Sequence, residues 1–161
     1  MANENDIWKW MEEVFDPEIP VLNVVELGIL RGVAVNGDHV DITITPTYSG
    51  CPAMRTIEED IEEMLRENGV TDYKIIITLS PAWTTDWMTE DGRAKLLAEG
   101  IAPPQKGSED KGLIMGRIRE VKCPLCGSHE TYMISQFGST ACKSLYKCSS
   151  CLEPFDYFKC I

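Results

Sequence analysis

Over the first hundred residues, apolar side chains alternate between the 3.6-residue period of helices and the two-residue period of strands. Ile7, Trp8, Met11, Val14 and Phe15 share one helical face and Asp16-Pro17 ends the pattern, so a short first helix is predicted. Asp16-Pro17-Glu18-Ile19-Pro20 is then expected to run extended, because its two prolines fix the backbone and forbid a helix. Gly28 to Val35 and His39 to Thr45 read as strands joined at Asn36-Gly37 through a type I′ turn. In the second strand Val40, Ile42 and Ile44 alternate with Asp41, Thr43 and Thr45, which makes one face core and the other polar.

A longer helix follows Cys51-Pro52. Met54, Ile57, Ile61, Met64 and Leu65 form its apolar stripe, six carboxylates from Glu58 to Glu67 lie largely outside it, and Gly69 closes it. Tyr73 to Leu79, with Ile75-Ile76-Ile77 in succession, is predicted as a strand buried on both faces or nearly so, and parallel to the strand before the helix. That arrangement would bring the stretch from Pro81 to Trp87 close to Cys51, where the tryptophans serve as a lid or simply as core. A short helix from about Glu90 ends at Gly100, and residues 102–116 break all periodicity and read as a linker. Thr131 to Gln136, Ser144 to Lys147 and Phe155 to Lys159 look like short strands.

Charge separates the two parts. Residues 1–116 hold 9 basic and 22 acidic side chains, a net of −13, whereas residues 117–161 hold 6 and 4, a net of +2. An overall charge of −11 opposes nucleic-acid binding, which draws its affinity from neutralised phosphates. No apolar run reaches the length of a membrane span. Seven cysteines and no export signal at the N-terminus point to reduced thiols and metal ligands in the cytoplasm more than to a disulfide framework.

Four of those cysteines carry the strongest signal. Cys123-Pro124-Leu125-Cys126 and Cys148-Ser149-Ser150-Cys151 are two Cys-x2-Cys pairs separated by 21 residues, the spacing of a four-thiolate ribbon that holds zinc in preference to iron. A module of about 45 residues buries too little apolar surface to fold securely alone, and a metal answers that need. Cys142, Cys160 and His129 are surplus to a complete tetrahedron and read as packing or tail residues. A fifth cysteine, Cys51, precedes the proline that opens the long helix, where the helix N-terminus would favour a reactive thiolate; the alternative is a small buried residue closing the turn. Asp16, Glu18 and Trp83 are candidate supports for it, although the acidic pair reads first as part of a solvated turn. An enzyme using Cys51 as nucleophile would need a base, and the two histidines, His39 and His129, sit beside a hairpin turn and a metal knuckle.

Asp16-Pro17-Glu18-Ile19-Pro20, Val24-Val25-Glu26-Leu27-Gly28-Ile29, the hairpin and Gly50-Cys51-Pro52 together resemble the small domain of SufT-type iron-sulfur assembly factors. Ser135-Gln136-Phe137-Gly138-Ser139-Thr140-Ala141-Cys142-Lys143, then Tyr146-Lys147-Cys148 and Glu153-Pro154-Phe155-Asp156-Tyr157-Phe158-Lys159-Cys160, are similar to the PaaD (PaaJ) family of bacterial phenylacetate degradation, and the similarity spans nearly the whole chain. The expected fold is therefore α+β: a two-layer iron-sulfur-assembly-like domain with a small mixed sheet over residues 1–101, a linker over 102–116, and a zinc ribbon over 117–161. The resemblance implies a non-catalytic accessory protein of the multicomponent phenylacetyl-CoA 1,2-epoxidase, with the iron-sulfur reductase or the di-iron subunit as partner. It also implies that Cys51 transiently handles iron or an iron-sulfur cluster, alone or with a cysteine of a partner or second copy. A stoichiometric structural subunit of the epoxidase is the alternative, and pairing into a homodimer stays open.

Overall fold

The computed structural model describes residues 2–105 and 120–159. They form two compact units: residues up to Trp83 together with Trp87–Thr89, and Thr84–Asp86 together with residues from Glu90 onward. Within the first unit, α1 (Glu4–Met11), β1 (Leu30–Asn36), β2 (His39–Ile44), α2 (Ala53–Glu67) and β3 (Asp72–Ile77) follow one another. The sheet has the order β1-β2-β3, antiparallel between β1 and β2 and parallel between β2 and β3. This is the mixed sheet and parallel crossover that the hydrophobic pattern predicts.

The first helix starts in a capping box: Asn3 Oδ1 accepts from the Asp6 amide at 3.1 Å and Asp6 Oδ2 accepts from the Asn3 amide at 3.2 Å. It ends at Met11, earlier than the apolar pattern suggests. Val14 is buried, but its carbonyl accepts from Val24 at 2.9 Å, and Phe15 bridges to Asn23 in antiparallel fashion. The 16–20 stretch is not extended. It makes two consecutive turns, closed by Ile19 N–H to the Asp16 carbonyl at 3.2 Å and Leu22 N–H to the Ile19 carbonyl at 2.9 Å. Pro17 and Pro20 each occupy the second position of a turn, where the fixed φ of proline is favourable, so the residues that exclude a helix here select turns instead.

At the hairpin the last paired residues are Asn36 and His39, so the loop is Gly37-Asp38 and not Asn36-Gly37. Gly37 has a φ of +65° and Asp38 is not left-handed, the pattern of a type II′ turn with glycine at its first central position. The third strand lies at the sheet edge: Asp72, Lys74 and Ile77 are exposed, against the expectation of burial on both faces. Three consecutive isoleucines give strand propensity, but whether a neighbour covers each face depends on the position of the strand in the sheet.

The second helix draws its stability from burial more than from its ends. Pro52 at its N-terminus offers no side-chain cap, a deficit of about 1 kcal/mol. Ala53, Met54, Ile57, Ile61 and Leu65 are buried, and the larger of these contribute about 1.5–3 kcal/mol each. At the other end Gly69, at φ +81°, donates to the Arg66 carbonyl at 3.0 Å and Val70 to the Leu65 carbonyl at 2.9 Å, a Schellman stop.

The second unit holds α3 (Glu90–Ala98), β4 (Ile101–Ala102), β5 (Thr131–Ser135), β6 (Lys143–Cys148) and β7 (Pro154–Phe158). Its sheet has the order β4-β7-β6-β5, with β4 parallel to β7 and the other pairs antiparallel. The helix over 90–98, placed from sequence in the first domain, and the strand at 101–102, which spans the predicted boundary with the linker, therefore group with the C-terminal sheet. Buried Arg93 helps fasten them, donating to the carbonyls of Pro104 and Thr85. Of the predicted linker, Ala102 lies in β4 and 106–116 falls outside the described residues. Tyr146, Phe155 and Tyr157 form the centre of the core, with ring centroids 5.9 and 5.8 Å from Tyr146. Among the described residues no helix is long and apolar enough to cross a membrane.

Among the described glycines of the first unit, Gly28 has the least space around it. It has a φ of +72°, and a Cβ placed on it would lie 2.5 Å from the Trp87 carbonyl oxygen and 2.7 Å from Trp87 Cβ. Gly28→Ala is expected to destabilise the protein by about 2–4 kcal/mol through left-handed strain and overlap with main chain. Chemical denaturation read by tryptophan fluorescence would check this, and an unchanged midpoint would contradict it.

Candidate functional site

The first unit places Cys51 between β2 and α2, on a turn closed by the Cys51 amide and the Tyr48 carbonyl at 3.3 Å. The thiol is half-buried, and its sulfur hydrogen-bonds the Ala53 amide and the Tyr48 hydroxyl. Ala53 is the first helical residue, so the sulfur satisfies an amide that no carbonyl within the helix can reach. Asp16 and Glu18, distant in sequence, lie close enough for their carboxylates to act on the same thiol.

The electrostatic outcome reverses the expectation of an activated thiolate. Burial raises the pKa of Cys51 above its ordinary value, and the negative charges of Glu18 and Asp16 push the same way; the hydrogen bonds from Ala53 and Tyr48 offset only part of this. These surroundings favour the thiol over the thiolate. Asp16 is itself used in the turn, its Oδ1 accepting from the amides of Glu18 at 2.7 Å and Ile19 at 3.1 Å. Trp83 is 5% exposed and donates its indole N–H to the Leu27 carbonyl at 2.9 Å, so it acts as a core anchor and not as a lid. Trp87 stacks under Arg31, whose guanidinium carbon is 3.6 Å from the ring centroid. Tyr48 escaped the sequence reading, because a hydroxyl three residues before a cysteine reaches its sulfur only when the intervening chain turns.

In the second unit Cys123, Cys126, Cys148 and Cys151 converge, one sulfur from each lying within 4.8 Å of the others. The Cys123 and Cys151 sulfurs are 3.8 Å apart and those of Cys126 and Cys148 are 3.5 Å apart. A tetrahedron with metal–sulfur bonds of about 2.3 Å has edges of about 3.8 Å, so the donor set fits a structural zinc ion. The two knuckles share one design. The amide of the first cysteine of each pair donates to a carbonyl five residues on, Cys123 to Ser128 at 2.8 Å and Cys148 to Glu153 at 3.0 Å. The residue after the second cysteine is left-handed in both, Gly127 at φ +78° and Leu152 at φ +67°.

Backbone amides act unevenly on the sulfurs: at Cys126 and Cys151 burial and neighbouring sulfurs outweigh them, raising Cys126 and pushing Cys151 up to about 12. Cys148 accepts from the amides of Cys151 and Ser150, which lower its pKa to about 6 and favour the thiolate that a metal requires. Cys142 is buried and its sulfur lies 3.0 Å from Thr140 Oγ1, outside the four-sulfur group. His129 pairs with Glu120 at 3.1 Å, and Cys160 lies outside the described residues. His39 is held between Asp72 at 2.7 Å and Asp41 at 3.3 Å; the hydrogen bond that it donates to Asp72 raises its pKa.

A half-buried thiol on a small α/β module, followed by a four-thiolate ribbon, defines a two-module metal-binding protein. Comparison with known proteins gives the same division: residues 4–72 match the family described as iron-sulfur cluster assembly protein, and residues 108–159 match the PaaD zinc beta ribbon domain. The chain belongs to the PaaD family. It is 50% identical over 157 residues to an Escherichia coli (strain K12) protein named as a candidate subunit of 1,2-phenylacetyl-CoA epoxidase, covering 98% of this chain and 93% of that one. A Porphyromonas gingivalis Fe-S protein maturation auxiliary factor is 39% identical over 60% of this chain and 92% of its own. Among solved structures, a DUF59 domain of unknown function from Bacillus anthracis aligns with a TM-score of 0.55 at 28% identity, over 58% of this chain and 90% of that one. A conserved hypothetical protein from Thermotoga maritima aligns with a TM-score of 0.52 at 28% identity, over 59% of this chain and 94% of its own.

Both cysteine sites can be tested directly. Cys148→Ser is expected to abolish zinc binding and Cys142→Ser to leave it at one ion per chain, measured by elemental analysis of purified protein; loss of zinc from Cys142→Ser would disprove the ligand assignment. Alkylation of Cys51, followed by site-resolved mass spectrometry, should rise with pH through a midpoint above the ordinary value of 9.0. Tyr48→Phe should move that midpoint higher still, since it removes a hydrogen bond to the thiolate. A plateau already reached below pH 9 would show that the helix N-terminus dominates after all.

Proposed function

We propose that this protein is a non-catalytic maturation factor of a multicomponent phenylacetyl-CoA epoxidase, and that Cys51 transiently holds iron or an iron-sulfur cluster on its way to an iron centre of that enzyme. The observation that carries the reading is the setting of Cys51, half-buried at a helix start, where burial and then Glu18 and Asp16 disfavour its thiolate. A soft cation binding there must displace the thiol proton, and the energy of that displacement weakens the complex. One sulfur is also a poor anchor for a cluster, which ordinarily takes four cysteine ligands. Both effects favour a labile intermediate over a stored cofactor. The names of the relatives support the same reading, one as an epoxidase subunit and another as an Fe-S protein maturation auxiliary factor.

A second reading, a stoichiometric structural subunit of the epoxidase, draws on the naming of the Escherichia coli relative as a subunit. One experiment separates the two. The epoxidase components are co-expressed with wild-type protein, with Cys51→Ser or with neither, and iron-sulfur content, di-iron content and epoxidation are measured. Under the maturation reading Cys51→Ser matches the omission while still folding and retaining zinc, and the depleted centre identifies the client. If Cys51→Ser supports full iron loading and activity while omission abolishes activity, the protein is a scaffold and Cys51 is structural.

A further inference from the structure

The two zinc knuckles are each closed by their own backbone bonds, and those bonds do nothing to fix one knuckle relative to the other. The β5–β6 ladder ties them through Thr131 and Cys148, and a set of side-chain contacts reinforces that tie. Ser128 Oγ lies 2.8 Å from Ser150 Oγ, Ser150 Oγ donates to Glu130 Oε2 at 3.1 Å, and the Glu130 amide donates to Ser128 Oγ at 3.0 Å. The Ser149 amide adds a bond to the Glu130 carbonyl at 2.7 Å. Ser128 stands two residues after Cys126, and Ser150 stands between Cys148 and Cys151.

The direction of these bonds is determined. Because the Ser150 proton goes to the Glu130 carboxylate, the Ser128 hydroxyl must donate to Ser150, while Ser128 oxygen accepts from the Glu130 amide. The result is a closed cycle, Glu130 amide to Ser128 to Ser150 to Glu130 carboxylate, in which each hydroxyl donates once and accepts once. Every member polarises the next, and removing one interrupts the whole cycle.

We propose that Ser128, Ser150 and Glu130 form a clasp that holds the two knuckles in register without help from the metal and thereby limits the rate at which the ribbon releases zinc. For a four-thiolate site to lose its ion, the two sulfur pairs must separate, and Ser150 at the centre of the second pair is tied directly to the residue that closes the first. These are positioning residues: none of them supplies a zinc ligand. The assignment concerns the ribbon alone and does not rest on the role given to Cys51. It makes the zinc a resident ion, distinct from any iron handled by the first unit.

The test follows zinc transfer from the loaded full-length protein to an excess of a chromogenic chelator. Ser128→Ala and Ser150→Ala are each expected to release zinc about tenfold faster than wild type, the lower end of the range for groups that support metal ligands. The double variant should release it no faster than either single variant, because both break one cycle. Ser150→Thr keeps the hydroxyl and should restore slow release. In cobalt-substituted protein all variants should keep the absorption bands of a tetrahedral thiolate site, which separates faster release from a rearranged ligand set. Release within twofold of wild type in both single variants overturns the clasp. So does a double variant whose effects multiply, or a Ser150→Thr variant as fast as Ser150→Ala.

Discussion

Wherever a strand or helix ends, backbone amides lose their regular partners, and a half-buried amide without an acceptor destabilises the fold. In this protein short side chains take up those amides at each junction that matters. Asp16 accepts from Glu18 and Ile19, and Asn23 accepts from Val25 at 3.0 Å and Glu26 at 2.8 Å. Cys51 accepts from Ala53, and Cys148 accepts from Ser150 and Cys151. The sulfurs of chemical interest are thus positioned by the same kind of bond that shapes the ordinary turns. Their orientation is set before any metal arrives.

Similar capture leads to opposite chemistry in the two units. At Cys148 the amides converge beside other sulfurs and favour the anion, which is what a resident cation requires. At Cys51 one amide and one hydroxyl face burial and two carboxylates, and the neutral thiol prevails. Four sulfurs within 4.8 Å of one another, against a single thiol at Cys51, are the physical basis for reading the ribbon as the structural metal site. The strongly acidic character of the chain before the ribbon, a net of −13 over residues 1–116, suits docking on a basic partner surface.

Much of the architecture is legible in local pattern. The stripe of α2, its Gly69 stop, the alternation of β2 and the spacing of the four metal-binding cysteines each depend on residues a few positions apart, so each can be read directly. The parallel pairing of β2 with β3 follows from chain connectivity, because a strand, a helix and a strand return in the same direction. Turn chemistry was harder to read. Pro17 and Pro20 exclude a helix in either reading, and their fixed φ suits turns, the first of which is reinforced by Asp16, whose carboxylate gathers two amides.

Residue order alone was enough to establish the two modules, the four-thiolate ribbon, and the placement of a cysteine at a strand-to-helix junction, because periodicity and spacing are properties of neighbouring residues. Packing in three dimensions was needed to make β3 an exposed edge, to join α3 and β4 to the ribbon sheet, to gather Asp16, Glu18 and Tyr48 around Cys51, and to close a cycle of Ser128, Glu130 and Ser150 between the knuckles. Burial, sheet membership and the charge felt by a thiol all depend on residues brought together from distant parts of the chain, and no local pattern records which ones will meet.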